Sequence, residues 1–247
     1  MLTGTADVDA LAADAPTLSA FATEALVCPG AEVLQVVWEI WGDGDAREAV
    51  LPPGLHPVAP PTLTWSWLRA PESVAGPFTL AQTRVVCRSG VRGRGFHVAG
   101  FIDNPDAARL LTSQWGFRLA LADVSLERLY HGTRGRVSLG GEIALDCGLT
   151  LPQPISGSDL QYTDTMHLAH TPLGLRLVQV ECDFGFGPAE RGSPTLAAFA
   201  ASHWGQPRLR PSYPVSASSA VADVSVMPVR FVCRPDASAF VGTERVG

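Results

Sequence analysis

Runs of Val, Ile, Leu, Trp and Phe alternate along most of the chain with segments that contain Gly, Pro, Asp and Asn. β-Branched and aromatic residues favour strands, and Gly and Pro interrupt them, so this pattern predicts many short strands joined by turns. The predicted strands begin with a Val- and Trp-rich segment from Glu32 onward and continue over 62–68, 78–87, 96–102, 122–130, 136–145, 162–169, 175–184 and 221–232. Segments 90–95 and 131–135 are predicted to be turns.

A helical pattern occurs in only a few places. Residues 43–50 begin with acidic side chains and end before Pro-Pro-Gly, which predicts a short helix. A second helix is predicted to run to residue 115, with Asn104 as its N-cap and Pro105 at its first position. The apolar segment 196–204 is a third candidate, within a Gly- and Pro-rich region. The Ala-rich residues 1–27 are expected to form one helix or a loose arm.

These elements favour an α+β protein that is mainly antiparallel β, either a sheet or a barrel, with a few short helices. The order of strands and turns is compatible with a central cavity. No internal repeat, heptad pattern or linker divides the chain, so residues 1–247 are predicted to form a single domain.

Composition and charge exclude several classes of function. The net charge of −6 argues against a general nucleic-acid binder, which needs basic contacts to phosphate. The sequence contains no run of about 18 apolar residues, so no membrane span is predicted. The amino terminus lacks the pattern of a secretory signal. We therefore expect a cytoplasmic protein. The five cysteines are widely scattered without a C-x-x-C pair, which favours neither a zinc site nor a disulfide framework.

The chain contains no lysine, because all 18 of its basic residues other than histidine are arginines. A GC-rich genome could produce this bias. The absence nevertheless excludes any mechanism that forms a Schiff base on a lysine of this chain.

From residue 33 to about residue 126 the chain resembles the acetoacetate decarboxylase-like superfamily. The resemblance rests on the order of AREAVLPPGLHP, TLTWSWLRA, GPFTLAQTRVVC, the strand-to-helix junction FIDNPDAARL and QWGFRLALADVSL. The family has corresponding G-x-Y-x-E, Y-x-D-N-x-x-A and W-G-F-P-K-K-L-A motifs. The resemblance implies a β-barrel or cone around an internal apolar cavity.

The resemblance also implies that the decarboxylase machinery is missing. Leu119 stands where the family has its Schiff-base lysine, and Ala120 replaces the second lysine of the pair. Leu80 and Ser66 stand at the positions of two family glutamates, and Val33 at that of a substrate-binding arginine. We therefore expect a retained barrel whose cavity has lost its charged groups.

Candidate site residues follow from this alignment and from the polar side chains nearby. Three are candidates for catalysis: Ser66, Gln114 and His97. Seven are candidates for substrate binding: Val33, Trp65, Thr79, Leu80, Trp115, Leu119 and Ala120. His167 and His170 have an H-x-x-H spacing, but on a strand they point to opposite faces, which disfavours a shared metal. We expect neither a metal nor a cofactor.

Three functions remain open. The first is an enzyme of secondary metabolism that shapes a hydrophobic, polyketide-like substrate for ring closure, cycloaddition or isomerisation without covalent catalysis. The second is a lyase, a decarboxylase or dehydratase, that uses a non-lysine acid–base pair. The third is a non-catalytic binding protein for a small molecule. In each case we expect a hydrophobic small-molecule partner, no nucleic acid, no membrane and a homo-oligomer.

Overall fold

Fifteen β-strands form one sheet in the computed structural model, which describes residues 2–40 and 46–246. The strands are β1 Leu26–Ile40, β2 His56–Pro57, β3 Thr62–Ala70, β4 Phe78–Ser89, β5 Arg92–Ile102, β6 Leu119–Leu121, β7 Asp123–Leu129, β8 Gly132–Leu139, β9 Glu142–Ile155, β10 Thr165–Thr171, β11 Gly174–Val180, β12 Cys182–Phe199, β13 Pro211–Val226, β14 Phe231–Cys233 and β15 Thr243–Arg245. The predicted α+β class with mainly antiparallel strands is confirmed.

The helices are few and short, as predicted: α1 Val8–Ala13, α2 Ala46–Val50, α3 Pro105–Trp115 and α4 Ala239–Gly242, with 3₁₀ turns at Gly157–Asp159 and Ala201–Trp204. The start of the helix predicted over 43–50 lies outside the described residues. Of residues 1–27, only α1 is helical in the described part. None of the described helices is long and apolar enough to cross a bilayer.

Within the described residues, the strands follow the order β15-β14-β11-β10-β5-β4-β3-β1-β13-β12-β9-β8-β7. Neighbours in this order are antiparallel except β5 and β10, and the short β6 also pairs with β5 in parallel. The path is an open, curled sheet, because its β7 end lies against β4 and β5 in the middle. A hydrogen bond of 3.3 Å from Arg69 of β3 to the Leu126 carbonyl of β7 joins the two parts.

The central strands β1, β3 and β4 are covered on both faces, because two hydrophobic cores lie on opposite sides of them. Successive side chains of a strand point to opposite faces. On one face, Leu34, Trp65 and Trp67 belong to a core that β5, β8 and β9 also contribute to. On the other face, Val33 and Leu80 pack with α3, β12 and β13. This second face forms the wall of the cavity described below.

Several predicted elements differ from the structure. The turns predicted over 90–95 and 131–135 are shorter, because β5 already begins at Arg92 and β8 at Gly132. The segments 175–184 and 221–232, each predicted as one strand, belong to two strands each.

Segment 196–204 is not a helix: β12 continues to Phe199, and only a 3₁₀ turn follows it. The reason is non-local pairing, since Leu196 lies opposite Cys147 and Phe199 opposite Leu145 of β9. The strand predicted over 136–145 is two strands, because Gly140 and Gly141 form a turn with φ of 57° and 89°.

Helix α3 starts as predicted. The Asn104 side chain accepts hydrogen bonds from the backbone N–H of Asp106 at 2.8 Å and of Ala107 at 3.1 Å. Its amide nitrogen also donates to the carbonyls of Ala75 and Pro77. One side chain therefore caps the helix and holds the loop before β4.

We expect Asn104→Ala to lower the free energy of unfolding by about 1–2 kcal/mol, because the substitution removes the cap. Urea denaturation measures the change. The matched variant is Asn104→Asp, which keeps the capping oxygen and loses only the two bonds to the loop. If the cap carries most of the effect, Asn104→Asp should be much closer to the wild type than Asn104→Ala; equal losses would contradict the capping role.

Candidate functional site

A cavity lies against the face of the central strands that carries Val33 and Leu80. Helix α3, residues 162–165, β12 and β13 close its other sides. Its empty space is about 690 Å³, counting the part that opens to solvent. The wall is mostly apolar and includes Val33, Leu68, Phe78, Leu80, Leu111 and Phe117. A concave, mostly apolar space is typical of sites that bind small organic molecules.

A row of polar side chains crosses the strands on the cavity side. Gln35 of β1 lies opposite Ser66 of β3, and Ser66 lies opposite Gln82 of β4. Ser66 and Gln82 both line the cavity. Ser66 Oγ and Gln82 Oε1 are buried and have no hydrogen-bond partner within the described residues. Because buried polar atoms are normally paired, these two atoms are available to a ligand.

Arg84 lies two residues beyond Gln82 on the same face of β4 and also lines the cavity. It is only 5% exposed. Its guanidinium donates to the Thr163 carbonyl at 3.1 Å and to Gln35 Oε1 at 3.2 Å, while Nε has no partner. No described carboxylate forms a salt bridge with it within 4.0 Å. Burial lowers the pKa of Arg84 to about 10, which leaves it charged at neutral pH.

Two histidines form a buried pair behind the cavity wall. The rings of His97 and His167 lie 4.5 Å apart, and the Phe117 ring packs on both edge-on, at 5.5 Å and 4.2 Å. His97 Nε2 lies 3.3 Å from the Arg118 carbonyl. Burial lowers the pKa of His97 to about 3 and that of His167 well below its usual value. Both imidazoles are therefore neutral at physiological pH.

The histidine pair connects to the cavity through a threonine hydroxyl. Thr165 lines the cavity, and its Oγ1 lies 2.7 Å from His167 Nε2. Both residues are on β10, two positions apart and therefore on one face. A neutral imidazole at this distance can accept a hydrogen bond from the hydroxyl, which makes Thr165 and His167 a candidate pair for relaying a proton to or from the cavity.

The structure brings together only some of the residues predicted to form the site. Val33, Ser66 and Leu80 line the cavity. Trp65 does not, because it precedes Ser66 on β3 and so faces the opposite core, where it packs against Trp38 and Phe199. The same alternation removes Thr79, the neighbour of Leu80, from the cavity wall.

The residues around the tryptophan-glycine-phenylalanine motif also lie elsewhere. The Trp115 indole is buried and donates to the Met227 carbonyl at 2.8 Å. Leu119 is half-buried on β6 beside Gly100, Ala120 is exposed, and neither lines the cavity. Phe117 is the residue of this segment that lines the cavity. Leu119 and Ala120 come after it on β6, which pairs with the edge of β5.

The other two catalytic candidates are not in the cavity wall. Gln114 is half-buried on α3, and its backbone carbonyl accepts from the Ala22 N–H at 3.1 Å. His97 lies one layer behind the wall, against Phe117.

Sequence reasoning missed Arg84, Gln82 and the Thr165–His167 pair. A signal for the first two was present, because Leu80, Gln82 and Arg84 follow the two-residue period of one strand. Placing Leu80 at the cavity also places the other two there. The expectation of a cavity without charged groups is therefore wrong, because Arg84 and Asp164 both line it.

The H-x-x-H spacing does not form a metal site. His167 is buried, whereas His170 is exposed and its Nε2 lies 3.0 Å from the Ala12 carbonyl. The two side chains point to opposite faces, as the strand period predicts. Among the described residues, no group of three or more His, Cys, Asp or Glu side chains is placed to hold a metal ion.

The curled sheet has the fold of acetoacetate decarboxylases, which is the fold that the sequence resemblance implied. Solved structures with this fold include acetoacetate decarboxylase from Legionella pneumophila subsp. pneumophila str. Philadelphia 1, with a TM-score of 0.69 and 19% identity over 84% of this chain and 86% of that one. A second acetoacetate decarboxylase structure matches with a TM-score of 0.74 and 15% identity over 92% and 91%.

A third similar structure is the enduracididine biosynthesis enzyme MppR complexed with pyruvate, with a TM-score of 0.66 and 18% identity over 83% of this chain and 88% of that one. No protein-family model and no curated protein sequence matches this chain. At these identities the similarity establishes the fold, and the function must be argued from the site.

Proposed function

We propose that the cavity is the active site of an enzyme that binds a hydrophobic small molecule and promotes its ring closure or isomerisation without a covalent intermediate. One observation carries this proposal. The cavity is a concave, mostly apolar space, yet the chain has no lysine and the cavity wall is apolar at Val33 and Leu80. Both positions align with charged residues of the decarboxylases.

Such a reaction needs orientation more than a nucleophile. An apolar wall can hold a flexible chain in a reactive conformation. The conformational entropy of the substrate is then lost on binding and not in the chemical step, which lowers the activation barrier. The unpartnered Ser66 Oγ and Gln82 Oε1 would position polar groups of the substrate. A polyketide-like chain, apolar with spaced carbonyl groups, fits both features. The similarity to MppR, described as a biosynthesis enzyme, supports a role in secondary metabolism.

A lysine-independent lyase is the second candidate, and the Thr165–His167 pair favours it. The Thr165 hydroxyl at the cavity and the neutral imidazole behind it could move a proton in a dehydration or decarboxylation. The third candidate, a binding protein without activity, requires only the apolar space.

Product mass separates the three candidates. The protein is incubated with linear polyketide-like substrates of different chain length, and the products are followed by mass spectrometry. An isomer of unchanged mass supports the proposed cyclase or isomerase. Loss of water or carbon dioxide supports the lyase. Saturable binding without turnover supports the binding protein and contradicts the enzyme proposal.

A variant that fills the cavity tests whether the reaction occurs there. We expect Leu80→Trp to reduce kcat/KM at least tenfold, because the indole would occupy space that the substrate needs. The matched control is Val74→Trp, which adds the same bulk at a residue that is 86% exposed and outside the cavity. If both variants keep wild-type activity while remaining folded, the active site is elsewhere.

A further inference from the structure

We propose that Arg84 is an anion-binding residue of this cavity, and that the ligand carries a planar oxyanion on an apolar body. This inference rests on the proposed function, since it concerns the same cavity, and it specifies the class of substrate. The shared chemistry is a delocalised, two-oxygen anion. A carboxylate and the enolate of a 1,3-dicarbonyl compound both have it.

The first argument is the state of the Arg84 side chain. It is 5% exposed, and within the described residues its guanidinium donates hydrogen bonds to two neutral oxygens, the Thr163 carbonyl and Gln35 Oε1. Its Nε–H is buried without a partner in the described part of the chain. A buried charge without a counter-ion is costly, and proteins normally pair it. A ligand anion would supply the missing partner.

The second argument is the charge of the groups around it. Asp164 lines the same cavity, but its carboxylate accepts from Arg94 Nη1 at 2.9 Å and from the Cys182 N–H at 3.3 Å. That ion pair is internally neutral. Burial raises the pKa of the Cys182 thiol to about 12 and also raises the pKa of Tyr162, so both are uncharged at neutral pH.

The described wall carries one cation, Arg84, and one anion, Asp164. Because Arg94 already offsets the charge of Asp164, Arg84 is the charged group left for a ligand. Guanidinium groups match planar oxyanions in shape as well as charge, because parallel N–H donors face two oxygens. The unpartnered Ser66 hydroxyl, on the neighbouring strand, is a further donor for the same group. The apolar body would then contact Leu68, Phe78 and Leu80.

Binding measurements on the full chain test this inference. The probes are 4-phenylbutanoate with its primary amide, and 2-benzylcyclohexane-1,3-dione with its O-methyl enol ether. Titration calorimetry at pH 7.5 gives each Kd. We expect at least one anion to bind ten or more times tighter than its neutral partner, and the preferred pair tells a carboxylate site from an enolate site.

The matched variants are Arg84→Met and Arg109→Met. Arg84→Met should remove the preference for the anion and leave binding of the neutral probe within about twofold. Arg109→Met, an exposed arginine on α3, should keep the preference. Equal affinity of anion and neutral partner in the wild type, or no binding of any probe, overturns the inference. Turnover of a neutral substrate would still support the proposed enzymatic function. The anion-binding inference can therefore fail while the proposed function holds.

Stability provides a second readout that does not depend on the probe. We expect Arg84→Met to have a higher urea midpoint than the wild type, because an apolar side chain of similar length replaces an unpaired buried charge. A ligand-site arginine destabilises the empty protein in this way. An arginine whose role is structural would give a lower midpoint, and that result would contradict the proposal.

Discussion

Acidification from pH 7 to pH 5 is expected to reduce the free energy of unfolding by about 2 kcal/mol more in the wild-type protein than in His97→Phe. Burial lowers the pKa of His97 from its ordinary 6.5 to about 3. Between these two values the unfolded chain binds a proton and the folded protein does not. Stability from this residue is therefore fully present above pH 6.5 and is lost as the pH falls toward 3.

Burial also lowers the pKa of His167 well below its ordinary value. Protonation of this residue in the unfolded chain should therefore cause a similar loss of unfolding free energy as the pH falls from 7 to 5. The measurement is urea denaturation at pH 7, 6 and 5, with the slope of stability against pH compared between variants. Comparing slopes removes any constant cost of the substitution itself. His170→Gln, which replaces an exposed histidine, is the matched control. Identical slopes in His97→Phe and the wild type would show that the pair is not buried and neutral.

The result also bears on mechanism. If His167 is neutral at pH 7, it can accept a hydrogen bond from the Thr165 hydroxyl, which lies 2.7 Å from its Nε2. The lyase candidate depends on this state. The cyclase candidate does not, because orientation by the apolar wall is independent of the imidazole.

Gly135→Ala is expected to lower the free energy of unfolding by about 3 kcal/mol, since overpacking a rigid core forces neighbours to move. A Cβ at Gly135 on β8 would lie 2.6 Å from Cδ2 and 2.7 Å from Cζ2 of the Trp67 indole on β3. Trp67 is only 2% exposed, so its ring has little space to move. This contact is where the curled sheet packs on its own middle strands.

The matched control is Gly93→Ala on β5, where an added Cβ meets no atom within 4 Å. We expect it to change stability by about 0.5 kcal/mol or less. Thermal and urea unfolding of both variants measure the difference. Equal stability of the two variants would mean that β8 does not pack on Trp67 at this distance.

The packing at Trp67 matters for the site because it decides which face of β3 is turned to the cavity. Trp65 and Trp67 belong to one core, whereas the strand period turns Ser66 and Leu68 toward the cavity, which Trp67 also contacts. The sequence predicted a pocket that contained both Trp65 and Ser66. Trp65 is fully buried in the opposite core and does not reach the cavity, and the alignment alone could not show which residues of β3 form the wall.

Local features of this protein were determined by the sequence itself. The residue pattern predicted the mainly antiparallel strands, a turn that begins at Gly90 and the short helix α3, because each depends on residues close together in the chain. Asn104 and Pro105 start that helix as their chemistry requires. The family resemblance placed Val33, Ser66 and Leu80 at positions that do line the cavity.

Only the tertiary structure decided the chemistry of the cavity. Arg84 contacts Gln35 and Thr163, which are 49 and 79 positions away in the chain. Whether a buried arginine has a counter-ion depends on such distant segments, and no local pattern encodes it. The same is true of His97 and His167, which meet only because β5 and β10 are neighbours in the sheet. Local preferences set the elements of this protein, whereas the charge and acid–base character of its site result from long-range packing.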